Sequence, residues 1–159
     1  MKAEPSSRSA AIQQVLGRHG TDAIYVASTG YVSRAVAAEV GPEHVVLYMQ
    51  GSMGLAPAIG LSIVLGSDRT VVVLNGDGAL LMSLGTTHTI RDHAPTDRFF
   101  HYVLDNGCHE SVGGQPCAPL EQSYPGVTAI LPITRDGKPP RVPVSPPDNV
   151  AQVRARIAR

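Results

Sequence analysis

The run TVVVLNGDGALLMSLGTTHTI, residues 70–90, decides the fold. Residues 70–74 are uniformly apolar after Thr70, so they read as a strand buried on both faces rather than as one with a wet side. Gly76-Asp77-Gly78 interrupts the strand, and an amphipathic stretch over 79–93 then reads as a helix. A fully buried strand that turns through glycine into a helix is the repeating unit of a parallel sheet covered by helices.

The same unit recurs on both sides. Upstream, residues 23–27 (AIYVA) and 44–49 (HVVLYM) read as strands, and 33–40 as a helix closed by Gly41-Pro42. Residues 55–65, apolar and rich in small side chains, read as a buried helix. An N-terminal helix carries Ile12, Val15, Leu16 and His19 on one face, with Ser6 or Ser7 as its cap and Gly20 as its end. Downstream, 98–104 (RFFHYVL) and 127–133 read as strands, and a last helix begins at 146–148 and runs to the terminus. Residues 113–149 hold most of the prolines and read as largely irregular. The expectation is one α/β domain over 1–159: a doubly wound, mainly parallel sheet with helices on both faces.

Thirteen Lys and Arg balance thirteen Asp and Glu, which leaves no electrostatic drive toward nucleic acid or an anionic membrane. No apolar run is long enough to span a bilayer, and residues 1–9 lack the apolar core of a signal peptide, so a cytoplasmic location is expected. Cys108 and Cys117 have no companion Cys or His in zinc-like spacing and read as reduced thiols.

In doubly wound sheets, ligands sit beyond the carboxyl ends of the strands. Four glycine-bearing loops fall there: Ser28-Thr29-Gly30, Gly51-Ser52-Met53-Gly54, Gly76-Asp77-Gly78 and Asp105-Asn106-Gly107. Glycine lets backbone approach a ligand, and the start of a helix favours phosphate. Asp77 sits between the two and would repel an anion. A hard divalent cation resolves that conflict, since Mg²⁺ takes a carboxylate, a neutral oxygen and phosphate oxygens together. Asn106 offers the neutral oxygen from the next strand end. On these two features alone, a pair of unrelated turns is the favoured reading, because GDG by itself is a weak signal and Asn-Gly is a common turn dipeptide.

Three longer runs narrow the choice: YMQGSMGLAPAIGLSIVLG (48–66), VVVLNGDGALLMSLGTTHTI (71–90) and VLDNGCHESVGGQP (103–116). GDG followed by a helix, a strand and Asn resembles the thiamine diphosphate (ThDP) motif. The whole set is similar to the C-terminal domain of phosphonopyruvate decarboxylases and to the β subunit of sulfopyruvate decarboxylases, over roughly residues 22–117. That resemblance implies Mg²⁺ on Asp77, the Asn106 side chain and the Cys108 carbonyl. It implies diphosphate contacts from Thr29, Gly30, Ser33, Gly76, Gly78 and Ala79, with Ser52 in the same loop set and Ser111 beside them. The Gly51 carbonyl would accept from the aminopyrimidine, and Met53 would prop the cofactor in its V shape. His109 and Glu110 would face the reacting centre. From the residues alone, Met53 reads first as core, His109 equally as an ordinary loop histidine and Glu110 equally as a solvated acid; His88 and His93 read as structural.

The activity implied is decarboxylation of 3-phosphonopyruvate or 3-sulfopyruvate to the aldehyde, with carboligation or a non-catalytic assembly role as alternatives. The resemblance places the pyrimidine-protonating glutamate on a different domain type, and Glu39 and Glu43 match no such motif. A pyrimidine-binding partner chain, in a hetero-oligomer, is therefore expected, together with a small anionic 2-oxo acid substrate. The stretch after Pro116 looks short against that family, with only residues 117–126 before the final strand.

Overall fold

The computed structural model describes residues 4–158; the polar first three residues and Arg159 lie outside it. Five strands, β1 (Ile24–Ala27), β2 (Val45–Tyr48), β3 (Val71–Gly76), β4 (Phe99–Asp105) and β5 (Ala129–Pro132), form one parallel sheet in the order β2-β1-β3-β4-β5. Helices α1 (Arg8–His19), α2 (Tyr31–Glu39), α3 (Ala56–Leu65), α4 (Asp77–Met82), α5 (Leu84–His93) and α6 (Pro146–Ile157) surround it.

The all-apolar β3 explains why two layers form. Val72 and Leu74 pack with Ile12, Val15, Leu16 and Val36 from α1 and α2 on one face. Val71 and Val73 pack with Ala56, Leu61, Val64 and Ile90 from α3 and α5 on the other. Each residue of the strand thus buries its side chain, which stabilises by about 1.5–3 kcal/mol per Val or Leu. The small residues of α3 let it lie close: a Cβ added to Gly60 would stand 2.5 Å from Val73 Cγ2. The edge strand β2 is shielded by α6, where Asn149 accepts from Tyr48 N–H (3.0 Å) and donates to the Val46 carbonyl (2.6 Å). Those two bonds satisfy backbone groups that an open edge would leave for another chain.

Sheet order and chain order part company between β1 and β3. From β1 the chain steps to the β2 side, and from β3 it steps the other way. The loops leaving two adjacent strands in opposite directions open a crevice at their carboxyl ends. Thr29-Gly30 and Gly76-Asp77 flank that crevice.

The expected helix over 79–93 is two helices. It begins at Asp77 and breaks at Ser83 (φ −144°, ψ 49°), whose hydroxyl donates to the Gly54 carbonyl at 2.5 Å. This tertiary bond ties the break to the loop after β2, and it replaces the local helical bond that the sequence periodicity favours. The first helix is capped by Ser7, which accepts from Ala10 N–H at 3.0 Å. Ser6 instead bridges to β5, donating to Pro132 and accepting from Thr134.

His101, on β4, is fully buried with Asn75 Nδ2 3.4 Å from its Nε2. Burial pushes its pKa down from 6.5 to about 4. The folded chain therefore binds fewer protons than the unfolded one between those values, so stability is full above pH 6.5 and falls as pH drops toward 4. The loss should reach roughly 3 kcal/mol. Urea melts of wild type and His101→Leu at pH 7 and pH 4.5 check this, the expected outcome being a shallower pH dependence in the variant.

Candidate functional site

At the crevice, Asp77 opens α4 with only 5% of its surface exposed. Its Oδ1 accepts from Gly78 N–H at 2.9 Å, while Oδ2 is buried with no partner among the described residues. Burial, with the Asp105 carboxylate adding to it, raises the Asp77 pKa above its ordinary value. A buried carboxylate oxygen without a donor is costly. A cation would offset the cost; Asn106 and Cys108 line the same cavity, with the His109 ring and the Cys117 thiol close by at Gly78. Among the described residues no three His, Cys, Asp or Glu side chains gather around a metal-sized space. One carboxylate with an amide and a backbone carbonyl suits Mg²⁺ better than zinc.

Asn106, just past β4, is held at both ends. Its Nδ2 donates to Glu110 Oε2 at 2.9 Å, and its Oδ1 accepts from Cys108 N–H at 3.1 Å. Glu110 in turn pairs with the buried Arg8 (3% exposed). Arg8 also donates to the Gly137 carbonyl at 3.2 Å, and its guanidinium lies 5.7 Å from the Tyr31 ring centroid. An ion pair taken out of water gives little net stability, but removing one partner strands the other. The pair thus holds the turn 108–112 against α1.

His109 and Ser111 stand over the glycines. A Cβ on Gly78 would meet His109 Cε1 at 2.5 Å, and one on Gly30 (φ 81°) would meet Ser111 Oγ at 2.7 Å. Only glycine permits both approaches. One cavity gathers Thr29, Met53, Gly76, Asp77, Gly78, Ala79, Asn106, Cys108, His109, Glu110 and Ser111. Its volume is about 70 Å³.

Four expected contacts, Gly30, Ser33, Gly51 and Ser52, do not line that cavity. Gly51 and Ser52 are exposed, with Ser52 in the left-handed region (φ 55°), and neither lines it. The buried Ser33 hydroxyl faces the carbonyls of Ser28 (2.6 Å) and Met49 (2.9 Å), so it ties the ends of β1 and β2 together rather than facing Asp77. Gly30 borders the cavity through Ser111 and lines a second one described below.

Two participants were not expected from the sequence. Arg8 reaches the site because Ser6 pairs with β5, yet it left one signal: a cation in the first turn of a helix opposes the helix dipole and needs a distant partner. Cys117 lies beside Asp77, with its Sγ 3.1 Å from a Cβ built on Gly78. Burial, with Asp77 adding to it, pushes its thiol pKa up to about 11, so it stays protonated and unreactive at neutral pH.

The cavity lies at a parallel-sheet switch point, and sequence comparison assigns the class of the protein. Residues 27–143 match the family described as thiamine pyrophosphate enzyme, C-terminal TPP binding domain, and the chain belongs to that family. Thiamine pyrophosphate and ThDP are the same molecule. Within it the chain is similar to a phosphonopyruvate decarboxylase of Streptomyces viridochromogenes, 40% identical over 124 residues that cover 77% of this chain and 30% of that protein. It is also similar to a sulfopyruvate decarboxylase subunit beta of Methanothermobacter thermautotrophicus, 39% identical over 59% of this chain and 50% of that one. The match thus spans only 30% to 50% of these relatives' length. Its fold is shared with the crystal structure of a chain described as a thiamin diphosphate-dependent enzyme from Mycobacterium smegmatis (TM-score 0.63, 18% identity, 82% of this chain and 32% of that one).

Met53 lines the cavity half-buried, so its two readings separate by experiment. Met53→Ala should cost less than the roughly 2–5 kcal/mol of a fully buried Met→Ala change. It should nevertheless lower turnover of the assembled enzyme more than ten-fold, about 1.4 kcal/mol in barrier. Thermal melting and kcat measured side by side check this; a variant with a large melting loss and unchanged kcat would mark Met53 as core.

Proposed function

We propose that this chain is the diphosphate-binding component of a split, cytoplasmic, ThDP- and Mg²⁺-dependent decarboxylase acting on 3-phosphonopyruvate or 3-sulfopyruvate. The observation that carries this is the unpartnered, buried Asp77 Oδ2 beside Asn106, in a cavity floored by Gly76 and Gly78. Family membership and the names of the relatives support it.

When bound, ThDP supplies the electron sink for loss of CO₂ from a 2-oxo acid. Asp77, the Asn106 amide oxygen and the Cys108 carbonyl would hold Mg²⁺. Gly78 and Ala79 would present backbone N–H groups to the diphosphate from the start of α4, with Thr29 and Gly30 opposite. Gly78 N–H is now occupied by Asp77 Oδ1 and would exchange that partner for a phosphate oxygen. Met53 would support the cofactor's bend, and the Gly51 carbonyl would accept from its aminopyrimidine. His109, Glu110 and Ser111 would border the reacting carbon and screen it from water.

A pyrimidine-binding partner is part of the proposal. Several relatives are named subunit beta, which says that those proteins work with another subunit. Leu55 (48% exposed), Met82 (63%) and Leu84 (37%) leave apolar side chains open, and Met82 packs against the loop after β2, where a Cβ placed on Gly54 would stand 3.2 Å from its own. Exposed apolar side chains of this kind fit a protein interface. The test is CO₂ release from both acids by this chain with and without its partner.

A further inference from the structure

A second cavity, about 230 Å³, opens beside the first and shares only Thr29 with it. The opening turn of α2 lines it with Gly30 and Arg34, the end of β2 adds Gln50, and the segment before α6 adds Arg141. No acidic residue lines it. Elsewhere Arg8 pairs with Glu110, Arg91 with Asp92 and Arg156 with Asp22. Arg34 and Arg141 make no ion pair among the described residues. Moreover, Arg34 Nη1 is buried with no hydrogen-bond partner among them.

A buried guanidinium N–H with nothing to donate to is as costly as an orphaned carboxylate oxygen. Arg34 is nevertheless held in place, since its guanidinium lies 5.7 Å from the centroid of the Tyr31 ring. The start of α2 adds a partial positive charge, because Gly30 caps it with no side-chain acceptor. A preorganised planar fork, a second cation on the facing segment, the Thr29 hydroxyl and the Gln50 amide together match a small anion with several oxygens at tetrahedral angles.

We infer that the cavity lined by Arg34 and Arg141 binds a small tetrahedral oxyanion, the phosphonate or sulfonate tail of the substrate, separately from the diphosphate cavity at Asp77. The identity of the molecule that carries this anion rests on the decarboxylase reading; the anion site itself does not. A terminal phosphate of the cofactor has the same chemistry, so the experiment distinguishes the two sources.

The full chain is titrated with inorganic phosphate, and separately with sulfate, while ¹H–¹⁵N spectra follow the Arg34 Nε–H and the Gln50 side-chain amide. Saturable shifts are expected for both ions. Arg34→Gln should weaken binding by roughly ten-fold, the loss of one charge-assisted pair. Arg141→Gln, on an exposed segment where folding is not at stake, should weaken it by a smaller factor. Asp77→Asn should leave it unchanged, and saturating ThDP with Mg²⁺ should leave it in place. Wild-type phosphate affinity in both arginine variants would overturn the inference. So would loss of the phosphate shifts in Asp77→Asn or their displacement by ThDP, either of which would put the anion in the diphosphate cavity. Retained phosphate binding without decarboxylation of either acid by the assembled enzyme would refute the proposed function and leave this site standing.

Discussion

Asp77→Asn should abolish Mg²⁺-dependent binding of ThDP, weakening it by on the order of 100-fold or more, while the chain folds as before. Asn keeps the shape and an oxygen for Gly78 N–H, but it removes the only negative charge aimed at the cation position. The fold should tolerate this well. Asp77 is buried with Oδ2 unpartnered and its pKa raised, so its charge is a cost to the metal-free chain. The melting temperature of the metal-free variant should therefore match or exceed that of wild type. Calorimetric titration of ThDP at fixed Mg²⁺, with melts of both proteins, gives the two readings. Unchanged ThDP affinity would remove Asp77 from the metal site.

The second large effect is all-or-none. Alone, the chain should release no CO₂ from phosphonopyruvate or sulfopyruvate, and with its pyrimidine-binding partner it should turn over at least one of them. The expected role that this chain does not fill is protonation of the pyrimidine: among the described residues Glu110 is paired with Arg8, and Glu39 accepts from Ser9 and Gln13. Robust turnover by the single purified chain would overturn the split-site account.

The sheet was legible because β3 is apolar at every position from Val71 to Leu74, which two packed faces require. The crevice was legible for a related reason: glycine and Asp directly after such a strand have few structural uses. What was not legible came from contacts distant in sequence. Nothing local to Ser83 predicts the break between α4 and α5, because its hydroxyl bonds a carbonyl at Gly54. Nothing local to Arg8 places it under Glu110, because a bridge from Ser6 to Ile133 brings α1 there. The family resemblance made Ser33 a candidate ligand contact, and only the arrangement of the β1 and β2 ends shows its hydroxyl turned toward their carbonyls. Arg34 and Arg141 are 107 positions apart and share a cavity only after the segment before α6 folds back over α2.

The most direct test of the central claim compares ThDP and thiamine as ligands of this chain, assembled with its partner, with Mg²⁺ and with Mg²⁺ removed by chelation. The account predicts tight ThDP binding that is lost with the metal, and weak thiamine binding that ignores it, because this chain's contribution is a cation and diphosphate cradle. Equal affinity for the two ligands, or ThDP binding indifferent to Mg²⁺, would contradict it.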